Sequence, residues 1–454
     1  MQLIALFIQV VLLLWSSSFS TQNNNNYTSI FSFGDSFTDT GNFVIIGGPT
    51  TLNLLITNPP YGMTFFHHPT GRVSDGRLAI DFIAEALGLP LLPPSTAANQ
   101  SFRLAPTSRF FFSAQTNYTS IFSFGDSFTD TGNLAIIAGP TTLPITNPPY
   151  GMTFFGHPTG RVSDGRLAID FIAEALGLPL LPPSMAANQS FRRGANFAVG
   201  GATALNRTFF VQDGDASVVT PYNISISDQL RWFDAMKPSL CNSPQACREY
   251  FAEALFVVEL GWNDYAVMLL AGKSVGEARS HLPQVVGMIC AAAEKLVKEG
   301  GKTVVVSGLM PLGCASANLE LFGTQNAGDY EPDTGCLKDL NLLSMEHNSQ
   351  LRQALAQLSG RYPGARVVYA DSYKPVTDFV AAAGRRGGGL RCCCGGGGKY
   401  NMNFTALCGT PGVGAVGDPA AYVNWDGVHL TEAANRRVAD GWLRGPLRSY
   451  AHTL

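Results

Sequence analysis

Short, continuously apolar segments alternate with helix-forming segments from residue 118 onward, and this alternation restricts the possible folds more than any other feature. Strands are predicted at residues 120–124, 254–260, 302–306 and 365–370. A strand that is apolar on both faces is typical of a parallel sheet covered by helices on both sides. The pattern therefore predicts an α/β fold of three layers, in which a parallel sheet lies between two layers of helices.

Segments with helical periodicity lie between and after these strands. Helices are predicted at residues 163–175, 274–299, 336–361 and 431–442. We expect Ser163 and Asp164 to cap the first of them and Thr431 to cap the last. The glycine-rich residues 384–398 predict a loop. Because ligands bind beyond the carboxyl ends of parallel strands, the residues just after each strand are the candidates for function.

The chain also contains a near-copy of part of itself. Residues 27–42 recur letter for letter at 118–133, and the match ends near Arg192. The unit is too long for a solenoid repeat and occurs only twice, so a repeat architecture is not expected. One strand, one loop and one helix are also too little to close a core alone. We therefore expect residues 118–454 to be the working domain. Residues 27–117 are interpreted as a partial duplicate, from a duplication or a gene-model error.

The first twenty residues predict a secretory signal peptide. An apolar run from Leu3 to Trp15 is followed by small residues up to Ser20, and it is shorter than the roughly 20 apolar residues of a membrane span. We expect residues 1–20 to be removed and the protein to be secreted, with no membrane span after cleavage; a membrane anchor is the alternative. Glycosylation acceptors that fit this route are Asn26, Asn99, Asn117, Asn188, Asn206, Asn223 and Asn403.

Cysteine usage agrees with an oxidising compartment. The chain has nine cysteines, so at least one thiol is expected to be free. Cys241–Cys247 and Cys314–Cys336 are plausible local disulfides. The cysteine spacing matches no common zinc pattern, and no metal site is predicted.

Composition argues against two other classes of protein. The chain is 46% hydrophobic and 14% charged, with a formal net charge of -3. A nucleic-acid-binding protein would show a basic face or stripe, and a disordered chain would lack this many apolar residues. We therefore expect a large folded core and no nucleic-acid partner.

Two motifs carry side chains suited to nucleophilic catalysis. Ser127 follows the first strand directly, in Gly125-Asp-Ser127. A serine hydroxyl needs an adjacent base to act as a nucleophile. In Asp426-Gly-Val-His429 the carboxylate can orient the imidazole, and the other ring nitrogen can then accept the serine proton.

Two further motifs offer hydrogen-bond donors for an oxyanion. Asn263, in Gly261-Trp-Asn263 after the second strand, carries a side-chain amide. Gly200 and Gly201 allow backbone N–H groups to approach a substrate oxygen closely. Such donors stabilise the negative charge that develops during acyl transfer.

In their order along the chain, these four motifs resemble the four blocks of the GDSL, or SGNH, hydrolase family, and most of all its secreted plant branch. The resemblance covers residues 118 to about 445. It implies a flavodoxin-like sheet of the SGNH hydrolase type and hydrolysis of carboxylic esters. It also implies a small-molecule or lipid ester as substrate and no cofactor.

The resemblance also implies a role for each candidate residue. Ser127 would be the nucleophile, His429 the general base and Asp426 its orienting partner. The Ser127 N–H, the Gly201 N–H and the Asn263 side chain would form the oxyanion hole; Gly201 is preferred to Gly200 from the alignment of the block. The family's plant members usually carry a cysteine before an Asp-Pro where this chain has none, and their Cys-Cys-Gly is here Cys392-Cys-Cys-Gly395. The disulfide pairing near Cys408 therefore stays open.

Several alternatives remain at this point. Ser36 has the same local sequence as Ser127 but lacks its own glycine block, and it is the alternative nucleophile. An acyltransferase would use the same residues, and a binding protein disabled by the duplication would use none of them. Asp130 is expected to fix the loop after Ser127. Four further histidines are expected to have no chemical role: His67, His68, His157 and His347.

Overall fold

The structure is a computed structural model that describes most of the chain from residue 118 and parts of what precedes it. The described residues are 30, 32, 36, 38–47, 55–66, 68–86, 91, 92, 94, 118–139, 143–214, 223–385 and 387–447. The predicted signal peptide, His67 and three of the glycosylation acceptors lie outside them. The chain divides into two compact units, Met1–Phe111 and Phe112–Leu454.

The first unit contains local structure that matches its sequence copy. Helix α1 spans Asn42–Gly47 and helix α2 spans Ala79–Ala86. Asp39 accepts hydrogen bonds from the backbone N–H groups at the start of α1. Arg72 and Asp81 form a buried ion pair at 2.9 Å. The same pair recurs in the second unit as Arg161 and Asp170, at 2.8 Å.

The second unit is built on a five-stranded, entirely parallel sheet, as the apolar runs predict. Its strands are β1 (Ser120–Gly125), β2 (Gly194–Asn196), β3 (Ala254–Glu259), β4 (Thr303–Ser307) and β5 (Arg366–Ala370). Their spatial order is β2-β1-β3-β4-β5, which is the order of a flavodoxin-like sheet. Every residue of β1, β3 and β4 is buried, because helices cover both faces.

Helices of the second unit form the two outer layers. They are α3 (Asn133–Ala138), α4 (Ala168–Ala175), α5 (Arg207–Gln212), α6 (Ile226–Leu240), α7 (Pro244–Ala252), α8 (Trp262–Leu270), α9 (Val275–Ser280), α10 (Leu282–Lys298), α11 (Ser316–Phe322), α12 (Lys338–Arg361), α13 (Tyr373–Gly384) and α14 (Glu432–Arg444). Helix α14 packs against α4 and α13, and α10 packs against α6 and α12. The predicted three-layer α/β/α fold is therefore confirmed.

The structure differs from the sequence predictions at three places: strand β2, the helix predicted at 274–299, and the cap predicted at Ser163 and Asp164. The sequence does not predict strand β2, because its three residues form no apolar run. Gly194 has φ 121° there, and a side chain would collide with the backbone of Ile121. The helix predicted at 274–299 is two helices, because Pro283 lies in the first turn of α10 and cannot continue a preceding helix.

Ser163 and Asp164 do not cap the helix that follows them. Helix α4 begins later, and its first turn is fixed by the Leu167 N–H, which donates to Asp170. Asp164 instead accepts from the Glu432 N–H at 2.7 Å, and Ser163 donates to the Leu430 carbonyl at 2.9 Å. These two residues thus connect their loop to the start of α14, whose predicted cap Thr431 is confirmed.

Three disulfides are present among the described residues. Cys241–Cys247 and Cys314–Cys336 confirm the local pairing predicted from spacing. The third bridge joins Cys394 to Cys408, which answers the pairing that the sequence left open. The free cysteines are Cys290, Cys392 and Cys393. Within the described ranges, no helix is long and apolar enough to cross a membrane.

Removal of residues 27–117 is expected to leave a folded protein. The second copy supplies β1, an internal strand of the sheet between β2 and β3, so the sheet does not need the identical strand sequence of the first copy. If Ile30 and Phe33 were left in water, the protein would lack about 1.5–3 kcal/mol of stabilisation for each side chain relative to burying it. We expect the shortened chain, expressed behind the same signal sequence, to equal or exceed the full chain in secreted yield and in ester hydrolysis per molecule. An insoluble or inactive shortened chain beside a working full chain would contradict this domain boundary.

Candidate active site

Ser127, His429 and Asp426 form a continuous hydrogen-bonded series beyond the carboxyl end of β1. The Ser127 Oγ lies 2.7 Å from the Nε2 of His429. The Nδ1 of His429 lies 2.8 Å from Asp426 Oδ2 and 3.0 Å from Oδ1. The residues are 302 and 3 positions apart in the chain, so the fold brings together side chains that the sequence separates.

The turn at residues 426–429 fixes the imidazole relative to its carboxylate. Asp426 Oδ1 accepts the backbone N–H groups of Val428 and His429 at 3.1 and 2.9 Å. The Trp425 N–H donates to the His429 carbonyl at 2.6 Å and closes the turn. An aspartate that binds the backbone two and three residues ahead favours such a turn, so this local sequence orients its own histidine.

Asp426 carries a negative charge at neutral pH. Burial alone raises the pKa of this carboxyl. The charge of His429 and hydrogen bonds from its ring and backbone outweigh burial and lower the pKa of Asp426 to about 2. A carboxylate that stays ionised can stabilise the imidazolium formed when His429 accepts a proton.

Tyr150 is a member of this site that the sequence did not indicate. Its hydroxyl donates to Asp426 Oδ2 at 2.9 Å, and its side chain is buried. Burial raises the pKa of Tyr150 well above 10, and the charge of Asp426 adds to this. The hydroxyl therefore stays protonated as a donor. The contact spans 276 positions, and no local pattern marks this tyrosine.

Two backbone N–H groups near Ser127 have no hydrogen-bond acceptor among the described residues. They belong to Ser127 and Gly201. Gly200 differs from Gly201, because its N–H donates to Asp130 at 2.9 Å. Gly201 adopts φ 82°, which suits glycine. The geometry therefore favours Gly201 over Gly200 as a donor to a substrate oxygen.

Asn263 lies at the start of α8 and uses its amide within the protein. Its Nδ2 donates to the Ala202 carbonyl at 3.0 Å and to Asp126 Oδ2 at 3.2 Å. The next residue, Asp264, accepts the N–H groups of Ala204 and Leu205, each at 2.9 Å. These contacts connect α8 to the turn that carries Gly201.

Asp130 fixes the loop after Ser127, as the sequence indicated. Its carboxylate accepts the N–H groups of Gly132, Asn133 and Leu134 at the start of α3, at 2.7 to 3.0 Å. Because it also accepts from Gly200, this carboxylate joins the Ser127 loop to the turn that carries Gly200 and Gly201.

Aromatic rings lie beside the imidazole of His429. The ring centroid of Phe128 lies 5.3 Å from that of His429 and 5.2 Å from that of Trp262.

His68, His157 and His347 have ordinary environments. His68 and His157 are exposed. His347 is fully buried with its Nδ1 2.8 Å from the Tyr265 hydroxyl, and burial lowers its pKa to about 3. Among the described residues, no group of three or more His, Cys, Asp or Glu side chains is placed to hold a metal ion.

A serine, a histidine and an aspartate in hydrogen-bonded series, at the carboxyl edge of a parallel α/β sheet, are the arrangement of a serine hydrolase. Comparison with known families agrees. The profile of the GDSL-like lipase/acylhydrolase family matches residues 30–116 and 121–442. The chain therefore belongs to this family of serine hydrolases.

Several proteins of Arabidopsis thaliana named GDSL esterase/lipase are similar to this chain. One is 47% identical over 336 residues, which is 73% of this chain and 83% of the relative. A second is 45% identical over 337 residues, 73% of this chain and 86% of the relative. A third is 45% identical over 338 residues, 72% of this chain and 91% of the relative.

Tyr150→Phe is expected to lower kcat about tenfold and to leave KM unchanged. The variant removes one charge-assisted hydrogen bond from Asp426, of roughly 1.5–3 kcal/mol, and the hydroxyl is not expected to contact substrate. The matched control is Tyr250→Phe, whose hydroxyl donates to the Arg192 carbonyl and which should keep wild-type kinetics. Steady-state hydrolysis of a p-nitrophenyl ester measures both constants. An unchanged kcat in Tyr150→Phe would show that the hydrogen bond from Tyr150 to Asp426 does not contribute to turnover.

Asn263→Ala is expected to fold normally and to lose about 10²–10³ in kcat, the usual effect of removing one oxyanion donor. The thermal unfolding midpoint is the control for folding, because the Asn263 amide also binds Ala202. Unchanged turnover in a folded variant would show that this side chain is structural.

Proposed function

We propose that this protein hydrolyses carboxylic esters through an acyl-enzyme on Ser127. The observation that carries the proposal is the hydrogen-bonded series from Ser127 through His429 to Asp426. Two unengaged N–H groups beside the serine supply the second requirement, a site for an oxyanion. Family membership and the esterase names of the relatives agree with this chemistry.

The reaction begins when Ser127 Oγ attacks the ester carbonyl carbon and gives its proton to His429 Nε2. The carbonyl oxygen becomes an oxyanion, which accepts from the N–H groups of Ser127 and Gly201 and from Asn263. The bond to the alcohol oxygen then breaks, and His429 gives its proton to the departing alcohol. Ser127 is left as an ester of the acyl group.

Water completes the cycle by the same steps in reverse. It gives a proton to His429 as it attacks the acyl-enzyme, a second oxyanion forms at the same donors, and Ser127 Oγ leaves with the proton from His429. Asp426 stays ionised throughout, because its pKa lies near 2, and it holds the imidazole in the tautomer that accepts at Nε2.

The other candidate functions are less well supported. An acyltransferase would use the same acyl-enzyme with an alcohol in place of water, yet the similar plant proteins carry esterase/lipase names. An inactive binding protein is disfavoured by a serine and a histidine at hydrogen-bonding distance. The substrates implied by the family are small-molecule esters; a lipid ester is part of the proposal.

The domain boundary and the secreted location are also proposals. We propose residues 118–454 as the hydrolase domain, residues 27–117 as a partial duplicate and residues 1–20 as a signal peptide. Three disulfides support an oxidising destination. Two of the glycosylation acceptors, Asn188 and Asn206, are exposed, as modification requires.

Ser127→Ala is expected to abolish ester hydrolysis, while Ser36→Ala should keep most of it. Ser127 contacts the general base, and loss of a catalytic serine lowers turnover by up to ~10⁶. The two variants control for each other, since the local sequences are identical. Hydrolysis of a p-nitrophenyl ester and labelling by a serine-reactive phosphonate measure the outcome. Equal loss in both variants, or loss in Ser36→Ala alone, would overturn the assignment of the nucleophile.

A further inference from the structure

Two buried carboxyl groups lie directly behind the nucleophile, and the mechanism above uses neither. Asp126 precedes Ser127 in the chain, and Glu259 is the last residue of β3. The pairing of β1 with β3 places Glu259 opposite Gly125. Asp126 is fully buried, and Glu259 is 7% exposed. The sheet register therefore brings both carboxyls to one place at its carboxyl edge.

The carboxyl groups of Asp126 and Glu259 lie close enough to influence one another's ionisation. Two carboxylates can only accept, so a bond between them requires a proton on one of them. Glu259 Oε2 is buried and has no hydrogen-bond partner among the described side chains and backbone groups. A proton shared with Asp126 supplies a hydrogen-bond partner for Glu259 Oε2, the one buried oxygen of the pair that has none within the described residues.

The local electrostatics favour retention of that proton at neutral pH. Burial raises the pKa of Asp126 well above its ordinary value, and the nearby charge of Glu259 raises it further. Burial also raises the pKa of Glu259, to about 7. Two like charges at close range in a buried site cannot both form easily, so the second ionisation of the pair is displaced to higher pH.

Asp126 also contacts the proposed oxyanion donor. Its Oδ1 accepts the Phe128 N–H at 3.0 Å, and its Oδ2 faces the Asn263 Nδ2 at 3.2 Å. Because the Ala202 carbonyl takes one hydrogen of that amide, an oxyanion has to share the other hydrogen with Asp126. A full carboxylate accepts more strongly than a protonated carboxyl and would compete with the oxyanion for it.

We propose that Glu259 is a positioning residue that shares one proton with Asp126 and thereby leaves the Asn263 amide available to the oxyanion. The proposal rests on the proposed esterase function and adds a group to it. Glu259 touches no reacting atom, and the proton is not transferred to substrate. It keeps Asp126 a weak acceptor while the oxyanion forms.

Few other charges face the pair. Apart from Glu259, the titratable group with a marked effect on Asp126 is His429, whose charge lowers the pKa of Asp126. On the far side, Glu259 borders an enclosed cavity of about 20 Å³ whose polar lining is uncharged. The polar residues there come from β1–α3, β4, the start of α13, and α14: Thr129, Ser307, Ser372, Asn435 and Trp442. The ionisation of the pair is therefore governed by burial and by its own two members, with His429 acting on Asp126.

The pair predicts a loss of kcat at alkaline pH. The protonated pair is the competent state, so kcat is full at pH values below the second ionisation and falls as the pH rises through it. The fall should be roughly 10- to 100-fold, at or below the cost of losing one oxyanion donor. KM should change little, because the donor acts in the transition state.

Glu259→Gln and Asp126→Asn are the test. Removal of the Glu259 charge lowers the pKa of Asp126, so the alkaline limb of kcat in Glu259→Gln should move toward acid by roughly one to three pH units. Asp126→Asn cannot ionise at this position and should show no such limb. The control is Glu331→Gln, whose carboxylate binds Thr334 and Asn341; it should keep the wild-type profile.

Infrared spectroscopy tests the shared proton when the wild-type spectrum is compared with those of Asp126→Asn and Glu259→Gln, because burial also raises the pKa of Asp264, to about 7. A buried protonated carboxyl should absorb at neutral pH and vanish over the pH range in which kcat falls. An unmoved alkaline limb in Glu259→Gln, an alkaline limb that survives in Asp126→Asn, or a neutral-pH spectrum without a protonated carboxyl would each overturn the proposal.

Failure of the esterase function is distinguishable from failure of this inference. If the esterase function fails, the wild-type protein hydrolyses no ester or Ser127→Ala stays active. The infrared band then still shows whether Asp126 and Glu259 share a proton. If this inference fails, the wild-type protein is active and sensitive to Ser127→Ala, yet the variants at Glu259 and Asp126 leave its pH profile unchanged.

Discussion

The parallel pairing of β1 with β3 is the interaction on which the site depends. Consecutive pairs from Ser120↔Ala254 to Gly125↔Glu259 hold the two strands in register, and the strand order reverses between them. Loops that leave neighbouring strands at such a point diverge and open a crevice. Ser127 follows one strand and Asn263 the other, so the proposed nucleophile and a proposed oxyanion donor meet at one edge. A shift of register by one residue would separate them.

The ends of these strands are held from the side by buried hydrogen bonds. Gln229 of α6 pairs its amide with the N–H and carbonyl of Gly125, at 2.9 and 2.7 Å. Asp130 connects the following loop to Gly200, and Asp264 connects α8 to Ala204. Each contact satisfies a buried polar group that would otherwise cost free energy. The same contacts that stabilise the edge therefore also set the geometry of the candidate site.

The parts of the structure that sequence reasoning predicts are those with a local physical cause. The continuous apolar runs specify four strands, of which β1, β3 and β4 are fully buried. The turn at residues 426–429 contains both the carboxylate and the imidazole that it orients. Strand β2 has no apolar run, and Tyr150 and Glu259 reach the site through long-range register and loop packing. Asp164 has a helix-capping side chain, yet tertiary contact directs it to α14. Such contacts depend on the assembled fold, which no local window contains.

Buried carboxyl groups around one serine differ in charge because their partners differ. Asp426 receives the His429 ring, two backbone N–H groups and the Tyr150 hydroxyl, and these donors keep it ionised. Asp126 and Glu259 face each other with fewer donors, and burial favours a retained proton. Environments that push the pKa values of neighbouring acids apart assign them different roles. The ionised acid lies on the side of the base, where positive charge develops. The pair that we propose to share a proton lies on the side of the proposed oxyanion donor, where a further negative charge would oppose the reaction.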